Sequence, residues 1–243
     1  MPVRLVSGDP DRERTVAGRA TLVIAGEPVE VEVVVQAGPA TLEDVLPIIQ
    51  GLSDLFVSQG AAKAEAEGRP VTCRAGCGAC CRQLTPVSEA EAHALARLVA
   101  AMPEPRQSQV RARFEAALTA LGPSGVLDRI AQPDGAGGRL GTDYFRLDVA
   151  CPFLEDEACS IHPDRPLACR EYLVTSPARA CRALDPKGIA KVALGGEPSR
   201  ALLAAAGGGW LPLVLALLYA EQSPAPPPER TGPDLLADII GRL

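Results

Sequence analysis

Hydrophobic and polar residues alternate in two runs near the start of the chain. Val16, Ala20, Leu22 and Ile24 keep a period of two, and Val29, Val31, Val33 and Val35 repeat it beyond Gly26, Glu27 and Pro28. This predicts a β-hairpin over 14–36, which must pack on something because a lone hairpin is marginal in water. Helical spacing follows a Thr41 cap, with Leu42, Val45, Leu46, Ile49, Leu52 and Phe56 on one face. Pro47 either kinks that helix or marks its true start. The periodicity fades through AAKAEAE and stops at Gly68. Ser88 with Glu91 reads as a capping box for a helix with Leu95, Leu98 and Val99 inward. A second helix after Pro103 and Pro105 presents Val110, Phe114, Leu118 and Leu121.

Residues 122–143 read as a Gly/Pro-rich loop, and GAGGRLG (135–141) lacks the spacing of a phosphate-cradling motif. Residues 151–162 suggest a short hairpin turning at Glu155–Glu157, and Asp164 and Pro166 then cap a helical turn carrying Cys169, Arg170 and Tyr172. Ala201–Ala220 is an uncharged run of membrane-spanning length. Gly207, Gly208, Gly209 and Pro212 break it into two buried helices, with Pro212 at the head of the second, so a membrane role is disfavoured. The tail carries a Pro-rich link and a short helix with Leu235, Leu236, Ile239 and Ile240. The fold class is α+β, mostly helical. Its expected parts are an N-terminal hairpin extension (1–40), a cysteine-cluster domain (41–222) with a helical insertion (82–150), and a C-terminal link and helix (223–243).

Composition narrows the function. Hydrophobic residues make up 47% of the 243, enough for a core without disulfides. Aromatic content is 3% and net charge −6, with no basic stripe, which argues against nucleic acid and anionic membranes as partners. The charged start lacks the apolar run of a secretory signal, so the cytoplasm is expected. There, clustered cysteines serve metals or redox chemistry rather than disulfide staples.

Eight cysteines form the candidate chemistry: Cys73, Cys77, Cys80 and Cys81 in CRAGCGACC, and Cys151, Cys159, Cys169 and Cys181 downstream. Cys77-x₂-Cys80 has ligand spacing, and Gly76 and Gly78 let the backbone turn and aim N–H groups at sulfur. Adjacent side chains such as Cys80 and Cys81 point apart, so one small ion cannot take both without strain. Either two centres lie close together, or one of the pair stays a free, reactive thiol. A Cys77-x₂-Cys80 thiol–disulfide couple is a lesser alternative, since no thioredoxin-like βαβ pattern accompanies it.

CxxxCxxCC at 73–81, Cys151-Pro152, Cys159, Ile161, Arg165-Pro166, Cys169-Arg170 and Cys181 together resemble a bacterial cysteine-cluster family described as a zinc- or iron-chelating domain. A flagellin lysine-N-methylase, associated with an iron–sulfur cluster, resembles the same motif set. The resemblance implies metal chelation and, less directly, an iron–sulfur-dependent methyltransferase or oxidoreductase acting on a protein or small-molecule partner. Cys159-x₂-His162 offers zinc a histidine, although a structural role for His162 is the plainer reading; His93 lies on no ligand spacing. The crowding at 73–81, a spacing similar to that of radical S-adenosylmethionine enzymes, and Cys151-Pro152 place [4Fe–4S] ahead of zinc. S-adenosylmethionine itself is the weaker expectation, because GGEP (195–198) lies far from the cysteines and reads as a turn.

Arg165, Arg170 and Tyr172 are candidates for contacts to the cofactor. For the arginines, pairing with Glu155–Glu157 or Glu171 is the blander alternative; for Tyr172 it is packing beside the cluster. A metalloenzyme would expose Cys81, Arg165 or Tyr172 in a pocket, a structural zinc module would be closed, and a thiol redox or metal-transfer protein would hold metal loosely.

Overall fold

The computed structural model describes residues 2–7, 14–130, 139–184 and 187–243. The alternating valines build the expected hairpin. Strand β2 (Thr15–Ile24) pairs antiparallel with β3 (Glu27–Gln36), Val16 opposite Val35 and Leu22 opposite Val29. Ala25 and Gly26 make the turn with φ of 54° and 94°, the left-handed pair a tight two-residue hairpin needs. A strand not anticipated from the pattern, β1 (Val3–Val6), adds parallel to the other side of β3. Leu22, Ile24, Val31 and Val35 are buried in one core with the face of helix α1 (Leu42–Ala66) that carries Val45, Ile48, Ile49, Leu52 and Phe56.

Thr41 and Asp44 form a reciprocal capping box, so α1 begins at Leu42 and Pro47 lies inside it rather than at its start. Burying Phe56 contributes on the order of 2–3 kcal/mol. The two-residue strand β4 (Pro39–Ala40) pairs with Arg230–Thr231 near the other end of the chain.

After the first cysteine loop, Pro86–Val87 forms β5 and leads into α2 (Glu89–Ala100), where Ser88 and Glu91 form the anticipated capping box. Helix α3 (Arg106–Leu121) buries Val110, Phe114, Ala117 and Leu121. The stretch expected to be a loop contains two short helices, α4 (Val126–Ile130) and α5 (Leu140–Arg146). Val126, Leu140 and Tyr144 pack with Leu121 and Val214, tertiary burial that outweighs the local Gly/Pro content. Positions 135–138 of GAGGRLG lie outside the described residues.

The second cysteine region contains the hairpin of β6 (Leu154–Glu155) and β7 (Ala158–Cys159), then α6 (Leu167–Glu171) and α7 (Ala178–Arg182). In the apolar 201–220 stretch, α8 (Pro198–Ala205) is separated from α9 (Ala216–Gln222) by β8 (Leu211–Pro212), which pairs with β5. Pro212 sits in this strand pair and also caps the 3-10 turn Leu213–Leu215 that runs into α9, at the head of the second helical piece as expected. No helix among the described residues is long and apolar enough to cross a membrane. Arg230–Thr231 (β9) precedes α10 (Gly232–Ile240), whose Leu235, Leu236 and Ile239 join the first core. GGEP is a packed turn: Gly195 has φ +81°, and a Cβ on Gly196 would lie 2.5 Å from the Phe56 ring.

Candidate metal centre

The first cysteine loop needs its two glycines for different reasons. Gly76 turns the chain with φ +80°, and nothing would obstruct a side chain there. Gly78 has an ordinary φ of −84°, but a Cβ would lie 2.7 Å from Glu157 Oε2 and 2.8 Å from Leu154 Cδ1. It is the point where the loop presses on the β6–β7 hairpin. A short 3-10 turn, Ala79–Arg82, then presents Cys80 and Cys81, with Cys81 N–H donating to Gly78 O at 3.0 Å. Arg82 fixes this junction by donating to Gly78 O (3.1 Å) and pairing with Glu157 (2.7 Å) and Asp148 (3.1 Å).

The second region docks by its backbone. Cys151 N–H donates to Cys81 O at 2.7 Å, and Thr72 N–H donates to Val174 O at 3.0 Å. Asp156 and Glu157, with φ of 49° and 57°, turn the hairpin carrying Cys159. Helix α6, with Cys169, is not capped by Asp164 as expected. Instead the buried carboxylate of Glu91 accepts the Leu167 N–H at 2.8 Å, so one side chain caps two helices.

Arg170 is buried. It donates to both Asp54 carboxylate oxygens at 2.9 Å, to Arg165 O at 2.9 Å and to Pro163 O. Arg165 bonds His162 Nε2 at 2.7 Å. Neither arginine takes the partner expected from proximity in sequence: Glu155 pairs with Arg113 and Arg106, Glu157 with Arg82, and Glu171 bonds Ser199. Tyr172 does pack beside the cysteines, its hydroxyl accepting from Gln83 at 3.3 Å and Lys191 Nζ lying 4.8 Å from its ring centroid. His93 is buried edge-on to Tyr219, a structural position.

All eight cysteines are free thiols. Packing sorts them: Cys77 and Cys181 sit with Ala79, Val174 and Tyr172, while Cys151 and Cys159 pack on the core of α2, α3 and α9. Desolvation first, and then Cys73, Cys80 and Cys77, raise the Cys181 thiol, and a hydrogen bond from Tyr172 opposes the rise. Desolvation of its sulfur raises Cys73, with Cys80 and Cys77 adding to it and the Val174 N–H opposing it.

On the other side, burial pushes Cys151 up to about 12 against the Phe153 N–H, and nearby Cys159 and Cys80 push the same way. Burial also raises Cys159, against the Ile161 N–H and Arg165. Cys169 rises through burial and then through Cys151, Cys80 and Cys159, opposed by a hydrogen bond from Thr85. Cys80 rises chiefly through its hydrogen bond with Cys81 and then through burial. It lies within electrostatic reach of the cysteines on both sides.

Among the described residues, no three His, Cys, Asp or Glu side chains already stand as a metal-holding group. The surroundings nonetheless suit a thiolate-bound metal. The guanidinium of Arg165 reaches Cys73, Cys80 and Cys159, and its buried Nε has no hydrogen-bond partner. A thiolate-bound metal or cluster carries the negative charge that would use this donor. His162 is held in its neutral form by burial and by Arg165 and Arg170, with Nε2 already engaged.

Two cavities lie nearby. One of about 380 Å³ runs between α5 and the end of α7, lined by Phe145, Arg146, Asp148 and Arg182. The other, about 320 Å³, runs between α1 and α2 beside Glu43, Glu91 and Asp164. Neither is lined by a cysteine, Arg165 or Tyr172. The sequence carries no signal for Asp54, Thr72 and Arg82; it marks Glu91 only by its capping spacing with Ser88, and Gly78 only as a turn residue.

The two cysteine loops, docked on each other with the helices α2–α5 between them in sequence, are the part of the chain that a family comparison picks out. Residues 72–187 match the family model CxxCxxCC, described as "Putative zinc- or iron-chelating domain". No curated protein and no solved structure matches the chain.

Proposed function

We propose that the domain chelates its metal through thiolates alone, as an iron–sulfur cluster, and serves a redox reaction or a redox-linked modification in the cytoplasm. The observation that carries this reading is the set of groups around the sulfurs. The N–H groups of Val174, Phe153 and Ile161 and the unspent donor of Arg165 favour an anionic sulfur-bound core. Such a cluster supplies reversible one-electron chemistry when bound. Arg165 holds positive charge beside it, and Tyr172 donates toward Cys181. Eight free thiols also call for a reducing compartment.

Methyl transfer rests on the lysine-N-methylase resemblance alone, and the packed GGEP turn lends S-adenosylmethionine no support. The second reading is a structural zinc module, favoured by cavities that avoid the cysteines. Anaerobic purification, metal analysis and a visible spectrum separate the two. Iron, sulfide and a brown chromophore are expected; a colourless protein with stoichiometric zinc overturns the iron–sulfur reading.

A further inference from the structure

We infer that the eight cysteines hold two metal centres: Cys73, Cys77 and Cys181 give three ligands of one, Cys151, Cys159 and Cys169 three of the other, and the vicinal pair Cys80–Cys81 completes each. The inference deepens the metal-chelating reading and rests on it.

Three features of the fold carry it. The first is packing. Cys77 and Cys181 share a small cluster with Val174 and Tyr172, whereas Cys151 and Cys159 lie against the separate core of α2, α3 and α9. The second is the backbone. Thr72 bonds Val174 O through its N–H and Ser176 O through its hydroxyl, which lays the segment leading into Cys73 against the one entering α7 and Cys181. Cys151 instead bonds the Cys81 carbonyl and opens the hairpin that ends in Cys159. The third is the turn between the two groups. The 3-10 turn Ala79–Arg82 packs Ala79 with Val174 and Cys181 on one side, while its Cys81 carbonyl accepts the Cys151 N–H on the other.

The turn that carries Cys80 and Cys81 therefore touches both groups. Arg165 lies within electrostatic reach of Cys73, Cys80 and Cys159, thiols of both groups, so its charge sits at the seam where two anionic centres would repel. On binding, each thiol releases its proton to solvent and donates a lone pair to metal.

The test counts metal in anaerobically prepared full-length protein. The wild type should carry two equal loads per chain by native mass spectrometry. The Cys73→Ser/Cys181→Ser and Cys151→Ser/Cys169→Ser variants should each retain about half the metal, with unchanged far-ultraviolet circular dichroism. A single load in the wild type, or complete loss in either folded double variant, overturns the two-centre assignment. If a variant does not fold, the wild-type mass spectrum alone decides. Two zinc ions in a colourless protein would sink the iron–sulfur reading and support two centres. One cluster per chain would sustain the iron–sulfur reading and sink the second centre.

Discussion

Arg170 offers a quantitative test of how the second cysteine region is held. Its side chain is 7% exposed and that of its partner Asp54 57% exposed, so the two ends of this ion pair have very different surroundings. Replacing Arg170 with Ala removes a charged donor from Arg165 O, Pro163 O and Asp54 together. Hydrogen bonds to charged groups contribute roughly 1.5–3 kcal/mol each, and partial exposure of the loop carbonyls reduces that, so a loss of about 3–4 kcal/mol is expected. Asp54→Asn leaves both carbonyl contacts in place and exchanges an exposed carboxylate for an amide, a loss of about 1 kcal/mol or less.

Arg170→Lys should behave more like Ala than like Arg, since an ammonium cannot span three divergent acceptors. The assay is equilibrium urea unfolding of the metal-loaded protein, with metal release to a chelator followed in parallel, because the loop being secured lies between Cys159 and Cys169. Equal destabilisation by Asp54→Asn and Arg170→Ala would refute the reasoning, as would a cost below about 1 kcal/mol for Arg170→Ala.

Other outcomes follow from the same packing and charges. Gly78→Ala should cost about 1–3 kcal/mol and accelerate metal release, since its Cβ meets Leu154 and Glu157; a stable variant with wild-type retention would contradict the close approach. Burial first lifts Glu171 to about 7, so its contribution to stability is full below about pH 4.5 and is lost as pH rises through 7. Glu171→Gln should flatten that decline, worth roughly 3 kcal/mol at most, and parallel wild-type and variant pH–stability curves would count against it. Raised thiol pKa values at Cys73, Cys151, Cys159, Cys169 and Cys181 mean that metal must displace bound protons. Affinity should therefore rise with pH, and titrations in buffers of different ionisation enthalpy should reveal several protons released per chain; none released would exclude protonated ligands.

Features set by local period or local chemistry were legible in the sequence. The valine alternation, the Thr41 and Ser88–Glu91 caps and the order of the cysteines all appear where expected. Features set by distant contact were not. Strand β1 has only four residues, too short a run for a period to show, and α4 and α5 exist because Val126, Leu140 and Tyr144 find Leu121 and Val214. For Arg165 and Arg170 the nearest acids in sequence were the natural guess, but Arg170 reaches Asp54 on α1, an acceptor more than a hundred residues away. Gly78 looked like a turn residue; its need for a missing side chain comes from a hairpin that sequence spacing cannot place beside it.

The hydrogen bond from Cys151 N–H to Cys81 O also bears on the order of folding. It closes a loop of about seventy residues, and closure entropy makes such contacts late unless the intervening chain is already compact. The helices of 82–150 are that intervening chain. Their prior assembly would bring the two cysteine regions within reach, so metal capture belongs to the end of folding. Once bound, metal would pin the two regions together as a cross-link pins a loop.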